Sequence, residues 1–242
     1  MHLSFLCCSD RRVRYDATFC LRAMQNFIGR VLEAAAVACF CVGQIVVRKS
    51  GGGFVLSHRD DQAQGDLQIF RNSEEAIGIA KYDDAGNYRP LKTAPNLCHG
   101  WRLELDTLES LIRALDYFYP GRLAVFAAWK KGKLQTTPLR ETLDRQSGMY
   151  RIAAKISDSQ IDNVVADFCR SNGGCLRTIL WKRDAEGTVA STKLPNEKFD
   201  PDYDQVSGLK RLESPSPATI PLPCQEPCNL LIAECRKMVK GE

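Results

Sequence analysis

The sequence predicts an α+β protein, with a small mixed sheet and helices followed by a helical and loop-rich cysteine-cluster domain. Three observations support this prediction. The first half contains short β-rich runs separated by glycines. Later segments space their apolar residues at the helical period. Four cysteines of the second half stand at the ends of predicted elements, close to glycines or prolines.

The strands begin with a hairpin. Two β-rich runs, residues 44–49 and 54–57, are joined by Ser50 and three glycines that tolerate positive φ angles. Residues 67–70 predict a third strand. Residues 101–105 alternate apolar and polar side chains, which is typical of a half-buried strand.

Helices are predicted between and after these strands. Ser73 can cap a short helix over residues 74–81, and Asp106 can cap a longer helix with a leucine-rich face. A second helical run ends at Lys131, and the segment from there to Gly148 is predicted to be a linker.

The second half opens with a clear helix signal. Ser157 and Gln160 have the spacing of a capping box, and the helix that they begin is expected to end near Cys169. A glycine-rich loop leads into a buried strand over residues 175–181. Residues 182–223 are predicted to be mostly extended loop, and a final helix is expected from about residue 227 to residue 238.

These elements divide the chain into three parts. Residues 1–42 form an uncertain N-terminal extension, residues 43–145 an α+β domain, and residues 146–242 a cysteine-cluster domain. The extension contains five cysteines. They are weak evidence for a metal site, because no clear sequence pattern surrounds them.

Composition argues against several classes of protein. The formal net charge is +4 and the isoelectric point about 8.5, too mild for a typical nucleic-acid-binding protein. The longest uncharged apolar run, residues 34–47, is too short to span a membrane. No secretory signal is recognisable before residue 30. We therefore expect a cytoplasmic protein that binds neither nucleic acid nor membranes; its oligomeric state has no signal in the sequence.

The chain has eleven cysteines, an odd and high number for a compartment in which disulfides rarely persist. Cys169 and Cys175 flank a glycine-rich loop, and Cys224 and Cys228 lie in a proline-bounded loop at a helix start. Loop-borne thiols can converge on one inorganic centre, and four thiolates are the usual complement of an iron–sulfur cluster. Cys235 lies about 10 Å further along the helix than Cys228, so we predict a core residue there.

Two other interpretations stay open on spacing alone. Buried cysteines often serve only as small apolar side chains. A structural zinc site in a protein-interaction module is the second alternative. The three residues between Cys224 and Cys228 suit zinc, whereas the five between Cys169 and Cys175 do not.

Four segments resemble the C-terminal part of multidomain CbiX-like sirohydrochlorin chelatase proteins. They are YRPLKTAPNL at residues 88–97, PLRETLDRQSGMYR at 138–151, FCRSNGGCLRTILW at 168–181 and PCQEPCNLL at 223–231. Proteins of this family join a sirohydrochlorin cobalt-chelatase-like region to a stabilising domain and a 4Fe-4S cluster-binding domain. The resemblance runs from about residue 43 to residue 238.

The resemblance implies that residues 43–145 are the stabilising domain and that residues 146–242 bind a [4Fe–4S] cluster. The implied cluster ligands are Cys169, Cys175, Cys224 and Cys228. The chelatase-like halves and their metal-insertion histidines have no counterpart in this sequence. We therefore expect a redox or accessory module for electron transfer that works with a separate chelatase or redox partner protein, and not a complete enzyme with catalytic residues.

Three further features are weaker candidates. Cys98 and His99 are adjacent near a predicted strand, where neighbouring side chains point to opposite faces and seldom chelate one ion. His58 is predicted to be a surface residue, since no nucleophile pattern accompanies it. Basic residues around the cysteines could bind carboxylates, although a solvated surface is the simpler interpretation. The basic residues are Arg140, Arg145, Arg151, Arg170, Arg177, Lys182 and Arg183.

Overall fold

The computed structural model describes residues 26–33, 39–61, 65–89, 97–146, 151–170, 178–184, 218–220 and 222–241. Within these residues the fold combines a six-stranded mixed sheet, a two-stranded sheet and seven α-helices. The predicted α+β fold class is confirmed.

The strands are β1 (Cys39–Val42), β2 (Ile45–Ser50), β3 (Gly53–His58), β4 (Gln68–Phe70), β5 (Trp101–Leu105), β6 (Thr178–Ile179), β7 (Ala218–Ile220) and β8 (Pro223–Cys224). The α-helices are α1 (residues 26–33), α2 (Glu75–Ile79), α3 (Leu108–Phe118), α4 (Arg122–Lys130), α5 (Leu139–Gln146), α6 (Asp158–Val164) and α7 (Asn229–Lys240). Short 3-10 segments cover Arg59–Asp61 and Ile152–Lys155, and a π-helical turn covers Val165–Arg170.

The larger sheet has the strand order β4-β5-β3-β2-β1-β7. The predicted hairpin lies at its centre, where β2 and β3 pair antiparallel from Ile45 opposite His58 to Ser50 opposite Gly53. Gly51 has a φ of +63°, a left-handed conformation that glycine adopts without strain. The outer strands β4 and β7 run parallel to β5 and β1, so the sheet is mixed.

The first hydrophobic core forms where the sheet packs against α1, α3 and α4. Leu56 of β3 and Leu115 of α3 are completely buried in it. The Trp101 indole stacks on the Phe118 ring with centroids 5.0 Å apart. This core fixes the positions of β3 and β5.

The sheet begins before residue 43, the predicted start of the α+β domain. Phe40 of β1 is completely buried, and Ile28 and Leu32 of α1 pack in the same core. Residues 26–33 and 39–42 therefore contribute to the fold, while the first 25 residues, with three of the N-terminal cysteines, lie outside the described residues.

A second core lies in the C-terminal part of the chain. It joins α5, α6, α7 and β6, and Trp181 is its largest buried side chain. Its other members are Leu139, Leu143, Ala153, Ile156, Ile161, Val164, Val165, Cys169, Ile179, Leu231, Ile232 and Cys235. The cysteine-rich segments thus fold around a core of their own.

The predicted linker up to Gly148 is wrong for residues 139–146, which form helix α5. This helix buries Leu139, Thr142 and Leu143, which recur at the helical period. Four charged residues lie among them and obscure this apolar face in the sequence. The carbonyl of Pro138 accepts the N–H of Thr142 at 3.1 Å, which starts the helix.

Two predicted helix caps are also wrong. Thr107 caps α3 in place of Asp106, because its hydroxyl oxygen accepts the N–H of Ser110 at 3.1 Å. Ser73 does not cap α2; its hydroxyl donates to the carboxylate of Glu74, the residue at the cap position.

None of the helices in the described part of the chain is both long and apolar enough to cross a membrane.

Gly53 provides a test of the central strand pairing. A Cβ at this position would lie 2.3 Å from the carbonyl oxygen of Leu105 in the neighbouring strand. We expect Gly53→Ala to lower the free energy of unfolding by about 1–3 kcal/mol, the usual cost of forcing atoms into a packed site. Urea denaturation measures the change.

Gly52→Ala is the matched control, because a Cβ there would meet no atom within 4 Å. This variant should unfold at nearly the same urea concentration as the wild type. Equal destabilisation by the two variants would contradict the register of β3 against β5.

Candidate metal centre

Three of the four predicted ligand cysteines line one pocket in the second core. Cys175 lies outside the described residues. The structure therefore brings together thiols from two distant parts of the sequence, as expected for a shared centre. The pocket is lined by Cys169, Cys224, Cys228, Ile179, Trp181, Pro227 and Leu231.

Strands β6 and β8 position Cys224. They pair in parallel with Ile179 opposite Cys224, and the N–H of Leu180 donates to the Cys224 carbonyl at 2.9 Å. The indole Nε1–H of Trp181 donates to Cys224 Sγ at 3.3 Å. The thiol of Cys224 donates in turn to the carbonyl of Glu226 at 3.3 Å. The side chain is thus oriented from two directions.

Cys228 is the N-cap residue of α7. Its backbone is extended, and its sulfur accepts the N–H of Leu231 at 3.5 Å, in the place that an oxygen takes in an ordinary cap. The buried Pro227 precedes it. The predicted C-terminal helix is confirmed, and Cys228 stands just before its first turn.

Cys169 follows the helix that the predicted capping box begins. The hydroxyl oxygen of Ser157 accepts the N–H of Gln160 at 3.3 Å, and the Gln160 side chain accepts the N–H of Ser157 at 2.9 Å. After α6 the chain widens into a π-helical turn that contains Cys169. Turns of this kind frequently mark functional sites.

Cys235 has a different environment, although it lies on the same helix as the Cys228 cap. It is completely buried in the second core and does not line the pocket. Burial raises the pKa of its thiol to about 11, so it stays protonated near neutral pH. The prediction that Cys235 is a core residue is confirmed.

The residues of the pocket fit a thiophilic metal centre. Thiolates are the ligands of iron–sulfur clusters and of structural zinc. The rest of the lining is apolar, which limits the access of water to the sulfur atoms. N–H groups of Trp181 and Leu231 reach two of the sulfurs. Such hydrogen bonds stabilise negative charge on a metal-bound thiolate.

Lys182 is exposed, and four of the other basic residues near the cysteines pair with acids: Arg140, Arg145, Arg151 and Arg183. Arg183 lies 3.5 Å from both Asp158 and Asp162. Arg140 also pairs with Asp158 and donates to the carbonyl of Ile156 at 2.6 Å. These guanidinium groups join α5, α6 and the segment after β6, so they support the fold of the pocket and favour the simpler interpretation of the basic residues.

The prediction that His58 is a surface residue is wrong, because its side chain is completely buried. Burial, the larger cause, and the neighbouring His99, the second cause, lower the pKa of His58 to about 4, so its ring is neutral near pH 7.

Cys98 and His99 have different partners. The thiol of Cys98 donates to the Ile79 carbonyl at 3.2 Å, whereas His99 pairs with Asp61. The antiparallel pairing of β3 with β5 brings the histidines together, and no local sequence signal reveals it.

Comparison with protein families matches two parts of the chain. Residues 30–133 match the DR2241 stabilising domain, and residues 131–237 match the 4Fe-4S iron–sulfur cluster binding domain. All four predicted ligand cysteines fall within the second match. The chain therefore contains an iron–sulfur-binding module. Comparison with curated protein sequences gives no match.

Among solved structures, the chain is similar to DR2241 from Deinococcus radiodurans, described as a multi-domain protein with structural similarity to chelatases and two additional novel domains. The two are 28% identical, with a TM-score of 0.67, over 90% of this chain. This chain spans 42% of the length of that protein. As its sequence predicts, the chain resembles the stabilising and 4Fe-4S cluster-binding region of multidomain chelatase-like proteins.

Proposed function

We propose that the chain holds a [4Fe–4S] cluster through Cys169, Cys175, Cys224 and Cys228 and acts as a redox or accessory module for a tetrapyrrole-metal chelatase. The observation that carries this proposal is one pocket that gathers three of these thiols, inside the match to a cluster-binding domain. Cys175 stands three residues before β6 and is the fourth ligand by its place in the sequence.

A bound cluster would supply reversible one-electron transfer. The residues of the chain determine how the sulfur donors are presented. The β6–β8 pairing and the Trp181 indole orient Cys224, and the helix cap orients Cys228. Less side-chain freedom is then lost when these thiols become ligands.

The position of the pocket supports exchange of electrons with a partner. Cys224 and Cys228 are only half-buried, and Glu226 between them is exposed. A redox protein could therefore approach Gln225 and Glu226 directly. The described pocket lining consists of thiols and apolar side chains, with no acid or base for catalysis. This supports an accessory role beside a separate chelatase or redox protein.

Structural zinc is the competing assignment, because Cys224 and Cys228 have a spacing found in zinc sites. Zinc at this pocket would make the chain a protein-interaction module without redox chemistry. Iron, sulfide and zinc analysis of anaerobically purified protein distinguishes the two assignments.

Serine variants of the pocket cysteines test the ligand assignment. The wild-type chain is expected to contain about four iron and four sulfide, the content of one [4Fe–4S] cluster. Cys224→Ser and Cys228→Ser should each lose most of the iron and the broad visible absorption. Serine keeps a capping oxygen at position 228, so α7 should persist in far-UV circular dichroism.

Cys235→Ala is the matched control, since Cys235 lies in the same core but outside the pocket lining. It should retain full iron content. A Cys228→Ser protein with full iron would contradict the ligand assignment. One zinc and no iron in the wild-type chain would contradict the cluster itself.

Trp181→Phe tests the hydrogen bond to the Cys224 sulfur. The variant removes the N–H donor and keeps most of the buried aromatic ring. Hydrogen bonds to ligand sulfur favour the more negative, reduced cluster. We therefore expect a more negative reduction potential with unchanged iron content, measured by potentiometric titration followed by electron paramagnetic resonance.

Trp129→Phe is the control for this experiment, because Trp129 packs against the first core. It should leave the potential unchanged. An unaltered potential in Trp181→Phe would show that the indole does not act on a ligand sulfur.

A further inference from the structure

The ends of two paired strands bring two histidines together. His58 is the last residue of β3, and His99 lies two residues before β5. These strands are antiparallel, with Ser57 opposite Arg102, so the end of β3 lies beside the start of β5. The centroids of the two imidazole rings are 4.0 Å apart, and the rings are tilted by 47°.

A carboxylate accompanies the two imidazoles. One nitrogen of His58, one nitrogen of His99 and one oxygen of Asp60 all lie within 4.8 Å of one another. The His58 side chain is completely buried, whereas that of Asp60 is 58% exposed and that of His99 is 38% exposed. Burial therefore fixes the position of His58, whereas the side chains of Asp60 and His99 have room to move.

Two buried polar atoms here have no hydrogen-bond partner among the described residues. They are Nε2 of His58 and Oδ1 of Asp61. An unpaired buried polar atom costs about 1–3 kcal/mol, and native structures contain few of them. A ligand that is not a protein residue would account for the unpaired Nε2 of His58, whereas Oδ1 of Asp61 faces the His99 ring.

Asp61 is placed to orient one of the imidazoles. Its Oδ1 lies 3.5 Å from Nδ1 of His99, and its Oδ2 accepts the N–H of Gly100 at 2.7 Å. Histidines that bind metals are commonly oriented by a buried carboxylate at their other ring nitrogen.

We propose that His58, Asp60 and His99 bind a divalent transition-metal ion of the zinc type, and that Asp61 positions His99. Two imidazoles and one carboxylate form a donor set that suits such ions, whereas calcium and magnesium prefer oxygen ligands. Three protein ligands leave a coordination position for water. The proposed site lies where the end of β3 meets the start of β5 and is separate from the cysteine pocket of the second core.

Solvent reaches two of the three proposed ligands, Asp60 and His99. His99 borders an open pocket of about 420 Å³ that Gln68, Glu75 and Trp101 also line.

Ligand atoms around a tetrahedral zinc ion, at about 2.1 Å from the metal, are about 3.4 Å apart. Asp60 and His99 would therefore move inward by about 1 Å, which their exposure permits.

Zinc binding to the anaerobically prepared, cluster-loaded full chain tests the proposal. Competition with a chromogenic zinc chelator measures the affinity. The wild type is expected to bind one zinc ion in addition to its iron. His99→Ala and Asp60→Asn should each weaken zinc binding at least about tenfold and leave iron and sulfide content unchanged. Both side chains are exposed, and circular dichroism checks that the variants fold.

His2→Ala and Asp106→Asn are the matched controls. His2 is the third histidine of the chain, and Asp106 is an exposed carboxylate that follows the far end of β5. Both variants should bind zinc as the wild type does.

Cobalt(II) distinguishes the ligands by its spectrum. Imidazole and carboxylate ligands should give weak visible bands, whereas cysteine ligands would add intense thiolate-to-cobalt absorption in the near ultraviolet. Asp61→Asn should weaken zinc binding by about 10–100-fold and shift the visible cobalt bands. A merely structural role of Asp61 would lower thermal stability without that spectral shift.

Three results would each overturn the proposal: no zinc bound beyond the cluster, equal zinc affinity in wild type and His99→Ala, or a cobalt spectrum dominated by thiolate absorption. The proposal does not rest on the cluster assignment. His99→Ala should keep its iron and sulfide and lose zinc affinity, whereas loss of the cluster assignment would show as missing iron and sulfide in the wild type, so the two failures are distinguishable.

Discussion

The cysteine pocket depends on one short parallel pairing, in which Ile179 of β6 stands opposite Cys224 of β8. Each strand has only two residues, and small isolated strand pairings are marginal in water. The second core stabilises the pairing of β6 with β8, because Trp181 is buried beside these strands and Leu231 of α7 packs in the same core. A shift of β8 by one residue would turn Cys224 to the opposite face. The register therefore decides whether the thiols converge.

The larger sheet fixes the position of β8, one of the two strands in the pairing of β6 with β8. Strand β7 adds to the sheet beside β1, and the chain then passes through Leu222 into β8. Leu222 packs against the first core so closely that a Cβ on Gly43 would lie 2.7 Å from it. Arg122 of α4 donates to the carbonyl of Pro223 at 3.0 Å. The α+β part of the chain thus supports the segment that carries two of the proposed ligands, which is consistent with its match to a stabilising domain.

Much of the fold could be predicted because its signals are local. The hairpin glycines, the capping box of α6 and the apolar face of α3 each act within a few residues. Helix α5 has no clear sequence signal, because its few buried residues lie among charged ones. The burial of His58 beside His99 depends on which strands pair, a long-range choice that short patterns do not encode. For the cysteines, spacing left cluster, zinc and packing open. The family match and the shared pocket favour the cluster, and Cys175 stays a prediction.

The hydrogen bonds that orient the cysteines also belong to the fold. The N–H of Leu231 caps α7 through the sulfur of Cys228, and the Trp181 indole joins β6 to Cys224. The helix cap and the strand pairing are made by residues of the chain, so the same hydrogen bonds serve the fold and orient the thiols. The proposed imidazole site has harder donors and belongs to a different part of the fold. Thiolates can hold an iron–sulfur cluster, whereas imidazole and carboxylate suit zinc-type ions, so the two sites differ in ligand chemistry.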